Sequence, residues 1–255
     1  MKRSVQVILT LLATALVSST ALAQINFGDD FESYPTYEGE VPFGTIGGDW
    51  LFFTNVFGNY PGCTDWWYNY GGDAPNGPQI SNIVDGNTGH ALNAFSDYNN
   101  GNHGDGACIE TNVFQERVVT SSDYGTYTFR FDTQVPVELG VGVETFGFIK
   151  LLDPNNDWSL DLFNEVSTVT AGVKTIGVKL GPSEEGKVLQ WGFANLASNY
   201  QASGRHYDNV TFAISGSGAY KGDLIGVPIP LWAYFVIAGL LAFVGGTKLL
   251  SRKES

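Results

Sequence analysis

The chain has 255 residues and a formal net charge of −13, from 26 acidic and 13 basic residues. This excess of negative charge argues against nucleic acid or an anionic membrane surface as a partner, because both are polyanions. Hydrophobic residues make up 43% of the chain and aromatic residues 14%. The composition therefore predicts an acidic globular protein with a substantial core and no nucleic-acid partner.

The first 23 residues have the layout of a secretory signal peptide. Lys2 and Arg3 precede an apolar run that ends at Ala21-Leu22-Ala23. A positive start, an apolar middle and small residues at the end are typical of signal peptides, so we expect cleavage after Ala23. Of the charged residues, 25 acidic and 8 basic ones lie within 24–227, so the exported part carries a charge of −17.

The segment "CTDWWYNYGG" concentrates aromatic side chains after the first cysteine. Flat rings stack on the apolar faces of sugars, so we take four residues as candidate glycan ligands: Trp66, Trp67, Tyr68 and Tyr70. In an extended strand Trp66 and Trp67 would point to opposite faces, which would place one of them in the core. A sugar-binding platform and simple core packing both remain open for this cluster.

Two cysteines, Cys63 and Cys108, are present in the chain. In an oxidising compartment a lone pair of this kind usually forms a disulfide, and we expect that bond here. Metal binding by two thiols is a poor alternative because the three histidines are scattered singly.

The second half of the chain shows period-two alternation of apolar and polar residues. The runs are "YTFRFDTQV", "VELGVGV", "DWSLDLF", "KTIGVKL", "VLQWGFANL" and "YDNVTFAIS", separated by Gly, Pro, Asn or Ser clusters. Such runs predict the antiparallel strands of an all-β sandwich. No helical apolar stripe occurs between residues 24 and 227, so we expect few helices.

Catalytic carboxylates are poorly represented. The nearest match to a glycosidase strand motif is "DWSLDLFNE", in which Asp157 and Asp161 would share a strand face and Glu165 would lie past the strand end. Glycoside hydrolysis needs a pair of carboxyl groups across the scissile bond. The sequence favours a non-catalytic protein, with a secreted glycosidase or lyase as the alternative.

The two ends of the exported part carry carboxylates beside predicted strands. "FGDDFESY" offers Asp30 and Glu32, and "GRHYDNVTF" offers Asp208. First and last strands of a sandwich often pair, which would bring these oxygens together as Ca²⁺ ligands. Carboxylates that simply cap strand ends in solvent are the alternative.

These two motifs resemble those of jelly-roll modules of the carbohydrate-binding and concanavalin-like kind. The order Gly86-x-x-Gly89-x-Ala91-Leu92 is similar to the same sandwiches, where it leads into an early strand. The resemblance implies a jelly roll whose two ends are joined by a structural calcium, with Glu32 and Asp208 as ligands and Asp30 as a weaker one.

The C-terminal end combines an apolar stretch with cations. Ile229 to Leu250 contains one charged residue, Lys248, and is long enough to span a bilayer. Arg252 and Lys253 follow it, which orients the C-terminus toward the cytoplasm. The motif Pro228-Ile229-Pro230, the apolar span and the basic end resemble PEP-CTERM-type sorting signals of Gram-negative bacteria. That resemblance implies a membrane sorting protease as a partner, and a permanent anchor and a removable tag both remain open.

The resulting prediction is an exported cell-surface or extracellular-matrix protein that binds glycans or contributes structurally. Five segments follow from it: a signal peptide (1–23), a β-sandwich (24–214), a flexible linker (215–227), a transmembrane or sorting helix (228–250) and a cytoplasmic tail (251–255).

Overall fold

The computed structural model describes residues 24–36, 46, 49–58, 62–71, 81–96, 107–134, 139–140, 142–198 and 203–215, without the side chains of residues 66–71 and 198. Within these ranges the chain forms strands and two single-turn 3-10 helices, at Ser121–Asp123 and Pro182–Glu184. The strands are β1 (Asn26–Asp29), β2 (Leu51–Gly58), β3 (Asp65–Gly71), β4 (Ser81–Asp85), β5 (His90–Ala94), β6 (Cys108–Val118), β7 (Gly125–Gln134), β8 (Glu144–Asp153), β9 (Ser159–Ser167), β10 (Gly172–Leu180), β11 (Val188–Ser198) and β12 (Arg205–Ile214).

The strands form two antiparallel sheets that pack face to face, which confirms the all-β prediction. Sheet A has the order β10-β7-β12-β5-β4, and β1 also pairs with β12. Sheet B has the order β3-β2-β6-β11-β8-β9. The pairing of β1 with β12 runs from Asn26 opposite Ala213 to Asp29 opposite Val210, so the first and last strands are neighbours as predicted.

Aromatic rings from both sheets form the centre of the core. Trp191 of β11 stacks on Phe212 of β12 with ring centroids 4.6 Å apart. Phe193 stacks on Tyr207, and Phe131 of β7 meets Phe193 edge to face at 4.9 Å. All but Trp191 among these rings are fully buried. Alternate residues of the strands supply them, as expected for sheets with one face in the core.

The strand predictions hold for four of the six alternating runs and fail for one. The described residues of "VELGVGV" lie outside any strand, and β8 begins only at Glu144. The sequence did not indicate β8 because nine of its ten residues are buried, on both faces of the sheet. Such a strand shows a continuous apolar run and no alternation. "DWSLDLF" is partly right, since β9 begins at Ser159.

The predicted disulfide between Cys63 and Cys108 is present, with the two Cα atoms 5.6 Å apart. It ties the loop before β3 to the first residue of β6. The signal peptide, the linker beyond residue 215 and the C-terminal apolar span lie outside the described residues. In the described part of the chain, no helix has the length and hydropathy to cross a membrane.

Candidate functional site

A cleft of about 730 Å³ lies beside β1 and the C-terminal half of β12. Its aromatic wall is Phe27 and Tyr34, and its other lining side chains are mostly polar: Asp29, Asp30, Ser33, Asp49, Gln115, Arg130, Asp132, Asn209 and Thr211. The volume falls in the ordinary range of small-ligand sites. Strands of both sheets contribute, because Gln115 belongs to β6 of sheet B and the rest to sheet A or its loops.

Asp29 holds the aromatic wall of the cleft in place. One carboxylate oxygen accepts hydrogen bonds from the Tyr34 hydroxyl at 2.9 Å and from the Trp50 indole nitrogen at 2.8 Å. The other oxygen accepts the backbone N–H of Phe31 at 2.9 Å. Burial, and then this contact with Asp29, raises the pKa of Tyr34 to about 12. Tyr34 therefore stays protonated, and Asp29 serves as a positioning residue.

A bulge in β12 shapes the opposite wall. The register of β12 against β7 shifts between Asp208 and Thr211, and Asn209 has a φ of 49°. Asparagine tolerates this left-handed conformation better than most residues. The Asn209 amide donates to Asp132 at 2.9 Å, and Arg130 approaches the same carboxylate at 3.5 Å. The bulge thus turns one amide and one carboxylate toward the cleft.

Gln115 presents a buried donor without a partner. Its side chain is only 6% exposed, and its Nε2 atom has no hydrogen-bond partner although it lines the cleft. A buried amide left unpaired costs about 1–3 kcal/mol. Such a group is retained without penalty where a ligand accepts its hydrogen bond. Gln115 is therefore the observation that points most directly to a bound molecule.

The lining of the cleft is electrostatically negative. Asp30, Asp49 and Asp132 contribute carboxylates in addition to the engaged Asp29, and Arg130 is the only cation among the lining residues. A ligand that fits must offer several hydrogen-bond donors, at least one acceptor for Gln115 and no negative charge. Hydroxyl groups meet these requirements, because each one both donates and accepts.

Two of the three predicted calcium ligands contact the same loop. Glu32 accepts the backbone N–H of His90 at 2.9 Å, and its carboxylate lies where a Cβ on Gly89 would be. Asp208 accepts the Thr88 hydroxyl at 2.9 Å and the Asn209 N–H at 2.6 Å. The third predicted ligand, Asp30, accepts the N–H of Glu32 at 3.2 Å and lines the cleft.

These residues fit a calcium ion only in part. Within the described ranges, no three His, Cys, Asp or Glu side chains are grouped closely enough to hold a metal. Calcium takes 6 to 8 oxygens, so Glu32 and Asp208 would need backbone carbonyl and hydroxyl oxygens of residues 86–90 as further ligands. The calcium site stays a prediction.

The predicted aromatic ligands lie on β3, the outermost strand of sheet B next to β2. Trp66 pairs with Phe57, Tyr68 with Val56 and Tyr70 with Thr54, while Trp67 falls at the register shift of a bulge. The side chains of Trp66, Trp67, Tyr68 and Tyr70 lie outside the described part of the structure. Their role as ligands stays a prediction.

The candidate catalytic carboxylates do not form a pair on one strand. Asp157 lies in the turn before β9 with a φ of 50°, so the prediction that it shares a strand face with Asp161 is wrong. Asp161 bonds Lys187 at 2.7 Å, and this partner holds the pKa of the carboxyl below its ordinary value. A glycosidase acid needs the opposite shift. Glu165 lies within β9 and not beyond its end.

The outer face of sheet B carries a buried polar chain. The Asn55 and Asn112 amides donate to Glu110 at 3.3 and 2.7 Å, and Lys150 donates to Asn112 at 3.0 Å. The Lys150 ammonium also lies 4.1 Å from the centre of the Phe148 ring. Burial lowers the pKa of Lys150 to about 8, against the opposing effect of Glu110 and Glu165. These side chains are less than 9% exposed, so this face is less accessible than the cleft.

Sequence reasoning missed most of the cleft. Tyr34, Asp49 and Asn209 come from unrelated stretches that only the pairing of β1 with β12 brings together. Gln115 did leave a signal, because it occupies a core-facing position two residues after the buried Val113 of β6. A polar residue at an inward position of a strand deserves a functional explanation.

Neither a protein-family model nor a curated protein sequence matches the chain. Three solved structures with low similarity illustrate the range. A module TmCBM61 in complex with β-1,4-galactotriose gives 14% identity and a TM-score of 0.34, over 73% of this chain and 99% of that one. The xylan-binding module CBM15 gives 12% identity and 0.32, over 76% and 98%. A tailspike domain of bacteriophage CBA120 gives 10% identity and 0.36, over 66% and 20%. TM-scores this low identify no family and no ligand.

Proposed function

We propose that the protein is an exported, non-catalytic module of jelly-roll type that binds a neutral glycan in the cleft beside β1. The observation that carries the proposal is the buried Gln115 donor, which faces a cleft of about 730 Å³ without a partner. The free carboxylates of Asp30, Asp49 and Asp132 would accept hydrogen bonds from sugar hydroxyls. Tyr34 and Phe27 would supply an apolar wall for a sugar ring.

Charge selects the class of glycan. The exported part carries −17, and the cleft has one cation, Arg130, among several carboxylates. An acidic polysaccharide would meet repulsion at long range and inside the cleft. A neutral polysaccharide avoids both, and its hydroxyls satisfy the donor and the acceptors together.

The aromatic strand β3 is proposed as a second contact for the same polymer. Trp66, Trp67, Tyr68 and Tyr70 would stack on sugar rings at the edge of sheet B, whereas the cleft opens at β1 of sheet A. The C-terminal span would hold this module at the membrane until a sorting protease acts, and the protein would face the cell surface or the extracellular matrix.

Affinity gel electrophoresis with neutral polysaccharides, including xylan and β-1,4-galactan, tests the proposal. We expect retardation of the wild-type protein by at least one of them. Gln115→Met keeps the side-chain volume and removes the amide, so it should weaken retardation by about tenfold, the equivalent of about 1.4 kcal/mol. Its melting temperature should not fall, because an unpaired buried amide is removed.

Gln190→Met is the matched control. Gln190 lies on β11 of the same sheet, donates to Glu116 and does not line the cleft. Its loss should leave retardation unchanged. Equal retardation of wild type and Gln115→Met would reject the cleft, and Trp66→Ala and Trp67→Ala would then show whether β3 binds alone. Absence of retardation by every polysaccharide would favour a purely structural protein.

A further inference from the structure

Arg205, the first residue of β12, is a fully buried side chain with almost no polar contact. Its Nη2 atom donates to the backbone carbonyl of Val169 at 2.8 Å. Its Nε and Nη1 atoms have no hydrogen-bond partner. A guanidinium carries five N–H donors, so three of them, on two nitrogens, are left unsatisfied in the interior.

The nearby hydroxyl groups are already engaged with each other. The Tyr207 hydroxyl lies 3.0 Å from the Thr168 hydroxyl, which donates to Thr145 at 2.8 Å. Thr133 donates to the Thr170 carbonyl at 3.2 Å. The polar groups at this end of the sandwich therefore form a closed set that leaves the guanidinium outside.

Arg205 also lacks a counter-charge. The ion pairs among the described residues involve His90, Arg117, Arg130 and Lys187, and none of them involves Arg205. The contrast with Asp123 is informative, since that carboxylate is equally buried but lies 2.9 Å from Arg117. An isolated charge in a protein interior is strongly unfavourable unless it is paired.

We infer that Arg205 is the centre of a buried binding site for a small inorganic anion, for which chloride is the natural probe. An anion satisfies the free N–H groups and neutralises the charge at the same time. A buried water molecule would satisfy the N–H groups and leave the charge. Because the side chain is wholly enclosed, the site suits a single compact ion and not the carboxylate of a larger molecule. The site is independent of the glycan cleft, which Arg205 does not line.

Thermal unfolding at constant ionic strength tests this inference. Sodium chloride is exchanged stepwise for sodium gluconate, whose anion is too large for the site. The melting temperature of the wild type should rise in a saturable way with chloride. At tenfold excess over the dissociation constant, the rise should be roughly 3–6 °C for a domain of this size. Bromide should replace chloride.

Arg205→Met should lose the chloride dependence, whereas Arg130→Met, which removes an exposed guanidinium, should keep it. If Arg205→Met does not fold, crystals of the wild type grown in bromide decide the matter. An anomalous peak within hydrogen-bond distance of Nε or Nη1 of Arg205 supports the site. A melting temperature independent of the anion, or the absence of such a peak, overturns it.

Discussion

At the scale of single residues, the closest approach in sheet B lies at Gly192. A Cβ on this residue of β11 would be 2.1 Å from the Val113 carbonyl oxygen and 2.6 Å from the Phe114 Cα of β6. Both atoms belong to the backbone of a central strand, so no side-chain rotation can relieve the overlap. Glycine is thus required by space at this position, while its φ is not left-handed.

We expect Gly192→Ala to lower the free energy of unfolding by at least about 2 kcal/mol, because the two central strands must separate to admit the methyl group. Urea denaturation measures the change. Gly181→Ala is the control, since the nearest atom to its Cβ would be a Glu184 oxygen at 3.5 Å, an ordinary contact. A Gly192→Ala variant as stable as Gly181→Ala would show that β11 and β6 are further apart than described.

His206 should make stability depend on pH. Burial, and then the adjacent Arg205 guanidinium, lowers the pKa of His206 from 6.5 to about 4. Its cross-strand neighbours, Asn93 and Gln134, are uncharged. Between pH 6.5 and 4 the unfolded chain takes up a proton that the folded chain refuses. The folded state therefore loses stability as the pH falls through this window.

His206→Gln should remove this contribution. The difference in unfolding free energy between wild type and variant should be constant above pH 7 and should shift in favour of the variant by up to about 1.4 kcal/mol per pH unit below 6.5. Carboxylates titrate in the same window, but they affect both proteins equally, so only the difference is informative. A pH-independent difference would place His206 in contact with water.

At the scale of elements, the junction of β1, β12 and the loop before β5 joins the two ends of the domain. Glu32 binds the N–H of His90 and Asp208 binds the Thr88 hydroxyl, so both carboxylates fasten the same loop from different strands. The sequence predicted the meeting of these ends from two short acidic motifs. It could not predict that Asp30 would instead face the cleft, because that depends on the turn at Phe31, which has a φ of 58°.

If calcium occupies this junction, it should stabilise the fold. We expect the melting temperature to fall by roughly 3–6 °C when millimolar Ca²⁺ is replaced by EGTA, assuming tenfold saturation. Glu32→Gln and Asp208→Asn should each abolish the response. Asp85→Asn, which removes an exposed carboxylate from the adjacent hairpin, should retain it. An unchanged melting temperature in EGTA would mean that hydrogen bonds alone join the ends.

The strands that the sequence revealed and the one it concealed differ in how many faces they bury. β7 and β12 alternate between core and solvent, so their period-two pattern was visible. β8 is covered on its core face and also on the outer face of sheet B, where Phe146, Phe148 and Lys150 are less than 9% exposed. Burial of both faces depends on tertiary packing, and no local pattern records it.

At the scale of the whole molecule, the charge distribution and the disulfide both bear on where the protein functions. The exported part has a charge of −17, which keeps it apart from other polyanions and from copies of itself. The bond between Cys63 and Cys108 joins residues 45 positions apart, and Cys108 is fully buried beside Phe57 and Leu196. A disulfide of this kind forms and persists in an oxidising compartment.

Export and disulfide formation should therefore depend on the same N-terminal segment. Expressed in a Gram-negative bacterium, the full chain should leave the cytoplasm with both cysteines oxidised, measured by fractionation and by the mass added on thiol alkylation. A chain that begins at residue 24 should stay in the cytoplasm with two reactive thiols and should unfold about 2–5 kcal/mol more easily, because the cross-link no longer restricts the unfolded state. Cys63→Ser/Cys108→Ser in the full chain separates the two effects, since it should be exported but be as unstable as the cytoplasmic form. Oxidised cysteines in a full-length chain that remains in the cytoplasm would disprove the link between export and the disulfide.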